Sequence, residues 1–241
     1  MEIIKKILEK SNSPSKSKTP TIAFLGDSVT QGCFELYPKE EIYLGNVCDE
    51  KNAYPEFVRE ILTLFFPEAP LNIIHAGVAG DNAAGGLSRL KRDVLDYSPD
   101  LVVVCFGLND CCAGSENLAR YLCSLKTIFE KINQSGAEIV FMTPNMMNTY
   151  VCSLTYPPLA KSNAQNTCKL QNDCVLDKFV SEAKKLCDEK NVPVCDCYGK
   201  WKMLYDNGVD TTQLLANKIN HPVRAMHKLF AGMLVNTMFE N

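Results

Sequence analysis

Three short stretches end on residues that can attack a carbonyl or hold charge, and a fourth supplies a base. In chain order they are Gly26-Asp27-Ser28, Gly77-Val78-Ala79-Gly80-Asp81, Gly107-Leu108-Asn109-Asp110 and His221-Pro222. A serine hydroxyl is a weak nucleophile until a neighbouring imidazole takes its proton. The oxyanion that follows needs N–H donors, which a main-chain glycine and an asparagine amide both offer. Ser28, Gly80, Asn109 and His221 therefore contain every group that acyl transfer requires. Each motif alone has a plainer explanation. Gly, Asp and Ser are common turn formers, and asparagine is a good helix cap. Only the combination points to chemistry.

Two better-known arrangements do not fit. Thr30 stands where the G-x-S-x-G elbow needs its second glycine, and no G-x4-G-K-[ST] phosphate loop is present. Of the three histidines, His75 ends an apolar stretch and His227 lies inside the last helical pattern. His221 precedes Pro222, which favours an extended histidine followed by helix initiation. By elimination His221 is the base.

Five short apolar runs bounded by Gly, Pro or Asn must position these residues: Thr21–Leu25, Leu71–His75, Leu101–Phe106, Glu138–Thr143 and Val192–Cys197. Helical patterns lie between and after them at Tyr54–Phe66, Ala83–Leu95, Glu116–Asn133, Asp173–Asn191 and Val223–Phe239. The alternation predicts a parallel sheet covered by helices on both faces. In such sheets ligands gather at the carboxyl ends of the strands. Ser28, Gly80 and Asn109 follow the first three strands, and His221 follows the fifth, so all four fall on one rim. Two long connections leave that rim, 31–52 and 144–169, and both could wall a substrate pocket, the second through Tyr150 and Tyr156.

The chain has 241 residues, is 46% hydrophobic and carries a net charge of −3. That size and apolar share fit one α/β domain, residues 20–241, preceded by a short amphipathic helix and a Ser/Lys-rich linker over 1–19. The acidic balance gives no electrostatic case for nucleic acid. No apolar run is long enough to span a bilayer, and the first ten residues lack the apolar core of a secretory signal, so a cytoplasmic protein without membrane insertion is expected. Twelve cysteines occur without a C-x2-C pair, which argues against zinc. Cys195 and Cys197 fall two apart on one face of a strand, and Cys152, Cys168 and Cys174 are placed best for pairing should any cysteines pair.

The joint pattern resembles the SGNH hydrolases, the GDSL esterase/lipase family, over about residues 20–239. Gly26-Asp27-Ser28 resembles the first block, with Ser28 as nucleophile. Gly77–Leu90 resembles the second, with Gly80 as an oxyanion donor. Gly107-Leu108-Asn109-Asp110 resembles the third, with Asn109 as the other donor, and His221-Pro222 resembles the last. The resemblance implies a three-layer α/β/α sandwich with a five-stranded parallel sheet of flavodoxin-like type. It also implies a serine esterase acting through an acyl-enzyme on a small-molecule ester, with no metal or organic cofactor. An acetyl ester of a carbohydrate is the first expectation; a lysophospholipid acylhydrolase and a catalytically silent binding protein are the alternatives. There is one departure. The family commonly places an aspartate three residues before the histidine, and here that residue is Lys218. An ammonium only donates, so Asp210, Asp206 or a main-chain carbonyl must orient His221.

Overall fold

The computed structural model describes residues 1–40 and 43–241. Five strands form one parallel sheet: β1 (Thr21–Gly26), then β4 (Asn72–Gly77), β5 (Leu101–Cys105), β6 (Glu138–Met142) and β7 (Val194–Cys195), in the order β4-β1-β5-β6-β7. Between β1 and β4 an antiparallel hairpin, β2 (Cys33–Glu40) with β3 (Tyr43–Cys48), stands outside the sheet. Every residue of β5 is buried, as Leu-Val-Val-Val-Cys must be when both faces are covered. The helices in chain order are α1 (Glu2–Asn12), α2 (Ser28–Gln31), α3 (Tyr54–Phe65), α4 (Ala83–Asp93), α5 (Leu108–Cys112), α6 (Leu118–Ser135), α7 (Ala160–Asn172), α8 (Val175–Lys190), α9 (Cys197–Asp206) and α10 (Arg224–Glu240). The expected three-layer α/β/α sandwich of flavodoxin-like type is the fold observed. The strand order places its switch point between β1 and β5, where such sheets bind ligands.

Several local expectations are corrected. The stretch 31–52 is no open loop but carries the hairpin, apart from residues 41 and 42, which lie outside the described residues. The stretch 144–169 runs into α7, whose buried face of Ala160, Ala164, Thr167 and Gln171 is too small and polar to show helical hydropathy. The last strand stops at Cys195, because the Asp196 side chain accepts from the Gly199 N–H at 3.0 Å and starts α9. Cys197 therefore opens a helix and does not share a strand face with Cys195.

Helix α1 enters the core through Ile3 and Ile7. Its first N–H groups would lack partners, and the Glu138 carboxylate accepts from Glu2 at 2.9 Å and Ile3 at 2.7 Å. The residues read as a linker fold back on α1, with the Lys10 ammonium donating to the Pro14 and Ser17 carbonyls. Among the described residues no helix is long and apolar enough to cross a membrane.

Candidate active site

Ser28 opens the short helix α2 directly after β1. Asp27 caps that helix by accepting from the Val29 N–H at 2.9 Å. Close packing under this turn leaves no room for side chains. A Cβ on Gly77, at the end of β4, would lie 2.3 Å from the Gln31 nitrogen. His221 reaches the serine from the far end of the chain, its Nε2 lying 2.9 Å from Ser28 Oγ and its Nδ1 3.0 Å from the Phe34 carbonyl oxygen. A carbonyl only accepts, so Nδ1 carries the proton and Nε2 presents its lone pair to the serine hydroxyl. Both Ser28 and His221 are buried.

The orienting acceptor is thus the main chain of β2. Neither aspartate considered from the sequence serves. Asp210 accepts from the Tyr150 hydroxyl at 2.8 Å, and Asp206 pairs with Lys202. Lys218 takes up a left-handed conformation (φ 58°) and donates to the Gln213 carbonyl. One residue before it, Asn217 does what sequence reading missed. Its Oδ1 accepts from the main-chain N–H groups of Ile219, Asn220 and His221 at 2.9–3.0 Å, folding the loop that presents the imidazole. An asparagine four residues ahead of the histidine was the available signal, since Asx turns are built this way.

Gly80 and Asn109 line the same cleft as Ser28 and His221, a cavity of about 300 Å³. Gly80 has φ 78°, and a Cβ there would meet no atom, so backbone conformation rather than crowding calls for glycine. One Asn109 Nδ2 hydrogen goes to the Asp81 carbonyl at 2.7 Å, which leaves the second for the cleft. The Gly80-Asp81 loop is held from behind by Arg89, another residue the sequence did not single out. Its buried guanidinium donates to Asp81 Oδ2 (2.7 Å), to the Ala76 carbonyl (2.7 Å) and to the Gly26 carbonyl (2.9 Å), tying the ends of β1 and β4 to the loop. Asp110 completes the brace by accepting from the Ala83 N–H at 3.1 Å.

The GDSL-like lipase/acylhydrolase sequence profile matches residues 24–229, most of the chain and all four motifs. The chain belongs to the GDSL-like lipase/acylhydrolase family. This is a family of carboxylic ester hydrolases. The chain is similar to an acetylxylan esterase of Geobacillus stearothermophilus, at 28% identity over 89 residues. That match spans 37% of this chain and 39% of the relative's length. Among solved structures it is similar to a lipase/acylhydrolase from Enterococcus faecalis, with TM-score 0.65 and 21% identity, covering 91% of this chain and 95% of that one. A variant of an acetyl-xylooligosaccharide esterase from Geobacillus aligns with TM-score 0.67 and 19% identity, over 91% and 94% of the two chains. At these identities the two structures speak to the fold.

Against the family's usual acid–histidine pair, the electrostatics here differ. Burial holds the His221 imidazole down at about 4, opposed by the hydrogen bond to the Phe34 carbonyl and by the charge of Glu35. Burial raises the Asp27 carboxyl to about 7 and that of Asp110 to about 6, with the neighbouring carboxylates adding to both. Near pH 5 both acids are neutral. His227 is the packing residue expected: it is buried, its Nδ1 accepts from the Tyr54 N–H at 3.1 Å, and burial lowers it to about 3. Among the described residues no group of three or more His, Cys, Asp or Glu side chains could hold a metal. All the cysteines are free thiols. Sulfurs face each other in Cys33 and Cys48, across the hairpin at 3.3 Å, and in Cys195 and Cys197 at 3.8 Å, rather than in any of Cys152, Cys168 and Cys174.

The long connection does reach the cleft, but not through its tyrosines. Asn163, Asn166 and Thr167 on α7 line it together with Leu36, Leu44 and Asn46 of the hairpin. Tyr150 and Tyr156 are exposed and are not among the lining residues.

Proposed function

We propose that this chain is a serine esterase that removes short acyl groups, acetyl first among them, from carbohydrate alcohols. The observation that carries the reading is the His221 Nε2–Ser28 Oγ contact of 2.9 Å with Nδ1 anchored on a carbonyl. In this reading Ser28 Oγ attacks the ester carbonyl as its proton passes to His221 Nε2. The main-chain N–H groups of Ser28 and Gly80 and the Asn109 amide take the oxyanion. Collapse of the tetrahedral intermediate returns the proton to the departing alcohol. A water, deprotonated by the same nitrogen, then cleaves the acyl-Ser28 ester.

Without a carboxylate behind it, the imidazolium is harder to form. Lowering a histidine from 6.5 to about 4 corresponds to a cost on the order of 3 kcal/mol for charging it. That cost is offset at the moment it matters, because the oxyanion appears beside the imidazolium in the same low-dielectric cleft. The acetyl preference is supported by the acetylxylan esterase similarity and by the modest cavity. Turnover of p-nitrophenyl acetate, its loss in Ser28→Ala, and labelling of Ser28 by a serine-directed phosphonate test the proposal. A fully active alanine variant, or a label on another residue, would overturn it.

A further inference from the structure

Asparagine is the commonest residue in the lining of the cleft, beside Leu36, Leu44, Cys112 and Ile219. The cleft contains six asparagines, Asn46, Asn109, Asn163, Asn166, Asn217 and Asn220, and among the described residues its lining holds no Lys, Arg, Asp or Glu and no aromatic ring but the His221 imidazole. These six fall into two groups. Asn109, Asn217 and Asn220 are engaged: Asn109 with Asp81, and Asn217 Nδ2 with Asn220 Oδ1 at 3.0 Å. Among the described residues no hydrogen bond occupies the side-chain amides of Asn46, Asn163 and Asn166. Asn163 and Asn166 stand three apart, on one face of α7. Asn46 stands on the hairpin. The two walls meet where Leu36 and Leu44 pack against Ala160, Ala164 and Ile219, so their spacing is set by an apolar seam.

Three primary amides offer six N–H donors and three carbonyl acceptors. A hydroxyl both donates and accepts, so a ring of adjacent hydroxyls can satisfy such a set. An alkyl chain would cover the amides and leave them unpaired, at a cost for each. A phosphate or carboxylate head group would find no lysine or arginine among the described residues of the cleft.

We infer that Asn163 and Asn166 on α7, with Asn46 across the cleft on β3, form the alcohol subsite, and that it takes a neutral polyhydroxylated alcohol such as a pyranose ring. The inference rests on the esterase reading and adds to it the residues that choose the leaving group.

The test compares three acetyl esters with one acyl group and three alcohols: a methyl glucopyranoside carrying a single 6-O-acetyl group, hexyl acetate and p-nitrophenyl acetate. The wild-type protein should prefer the sugar ester over hexyl acetate by about tenfold or more in kcat/KM, the range one well-made polar contact controls. The Asn163→Leu/Asn166→Leu double variant should reduce that ratio by about tenfold or more. Leucine keeps helix propensity at these two exposed positions, so folding is expected to survive. As a second reading on unaltered protein, unacetylated methyl glucopyranoside should inhibit p-nitrophenyl acetate hydrolysis competitively, and more weakly in Asn46→Ala. A wild-type preference for hexyl acetate, an unchanged ratio in the double variant, or an equal fall on all three esters would overturn the subsite. Absence of p-nitrophenyl acetate turnover in the wild type would overturn the esterase reading beneath it.

Discussion

A buried imidazole with a neutral acceptor behind it has a different acid limb from one backed by a carboxylate. In the proposed mechanism His221 takes a proton only while neutral, and it is held down at about 4. In the free protein kcat/KM should therefore stay level as pH falls through the ordinary histidine range and drop only near pH 4. A pH–rate profile over about pH 3.5–7 reads this directly. A limb near 6.5 would contradict the burial of His221 as described. Asp210→Asn should leave both the limb and kcat in place, since that carboxylate serves Tyr150. Asn109→Ala should lower kcat by about 10²–10³, the usual loss for one oxyanion donor. KM should change little, because the bond tightens only as charge develops. Steady-state kinetics that put the whole effect in KM would place Asn109 on the ground-state substrate.

At the scale of elements, the hairpin is the part on which the site depends without contributing a catalytic side chain. Arg224, the first residue of α10, grips it at both ends: two nitrogens on Glu35 at 2.7 and 3.2 Å, and Nε on Asp49 at 2.8 Å. Its guanidinium also lies over the Phe34 ring, 4.1 Å from the centroid. The arginine holds both carboxylates below their usual range. Partly exposed ion pairs add little to stability, about 0–1 kcal/mol. Arg224→Ala should therefore barely move the melting temperature, yet lower kcat by roughly tenfold, as expected when a catalytic group loses its orientation. Thermal denaturation and kinetics on the same preparation separate the two effects; a large fall in melting temperature with unchanged kcat would make the clamp structural only. The five strands and four motifs were legible because hydrophobic runs and Gly, Asn and Pro leave marks in sequence. The hairpin and α7 were not, since α7 buries alanine, threonine and glutamine where helical periodicity looks for leucine. Arg89 acts on main-chain groups far along the chain, so no local pattern announces it, whereas Asn217 bonds groups two to four residues on and leaves only the faint mark of an Asx turn.

At the scale of the whole molecule, two opposite sets of buried groups meet near pH 5. Asp27 and Asp110 are raised to about 7 and about 6, so the folded protein holds two protons there that the unfolded chain, with carboxyls near 4, has lost. His221 and His227 are lowered to about 4 and about 3, so the unfolded chain holds two protons that the folded protein refuses. The histidines' stability is complete above about pH 6.5 and is lost as pH falls; the acids' is complete below about pH 4 and is lost as pH rises. The slopes cancel, and the melting temperature should be nearly level between about pH 5 and 6. Asp27→Asn removes one of the two acids and leaves both histidines, so its melting temperature should rise with pH across that window. A wild-type curve that rises with the same slope as the variant's would show that Asp27 is already ionised there. The cleft itself is assembled from distant parts of the chain: the hairpin, α7 and the loop at 217–221. Among its working parts the Phe34 acceptor has an unusual standing. A carbonyl oxygen belongs to every amino acid, so no substitution at position 34 deletes it, and no alignment column can record its presence. Selection can preserve it only by preserving the path of the backbone. A survey of catalytic letters would score this chain as lacking its third member, when the missing function is encoded in shape.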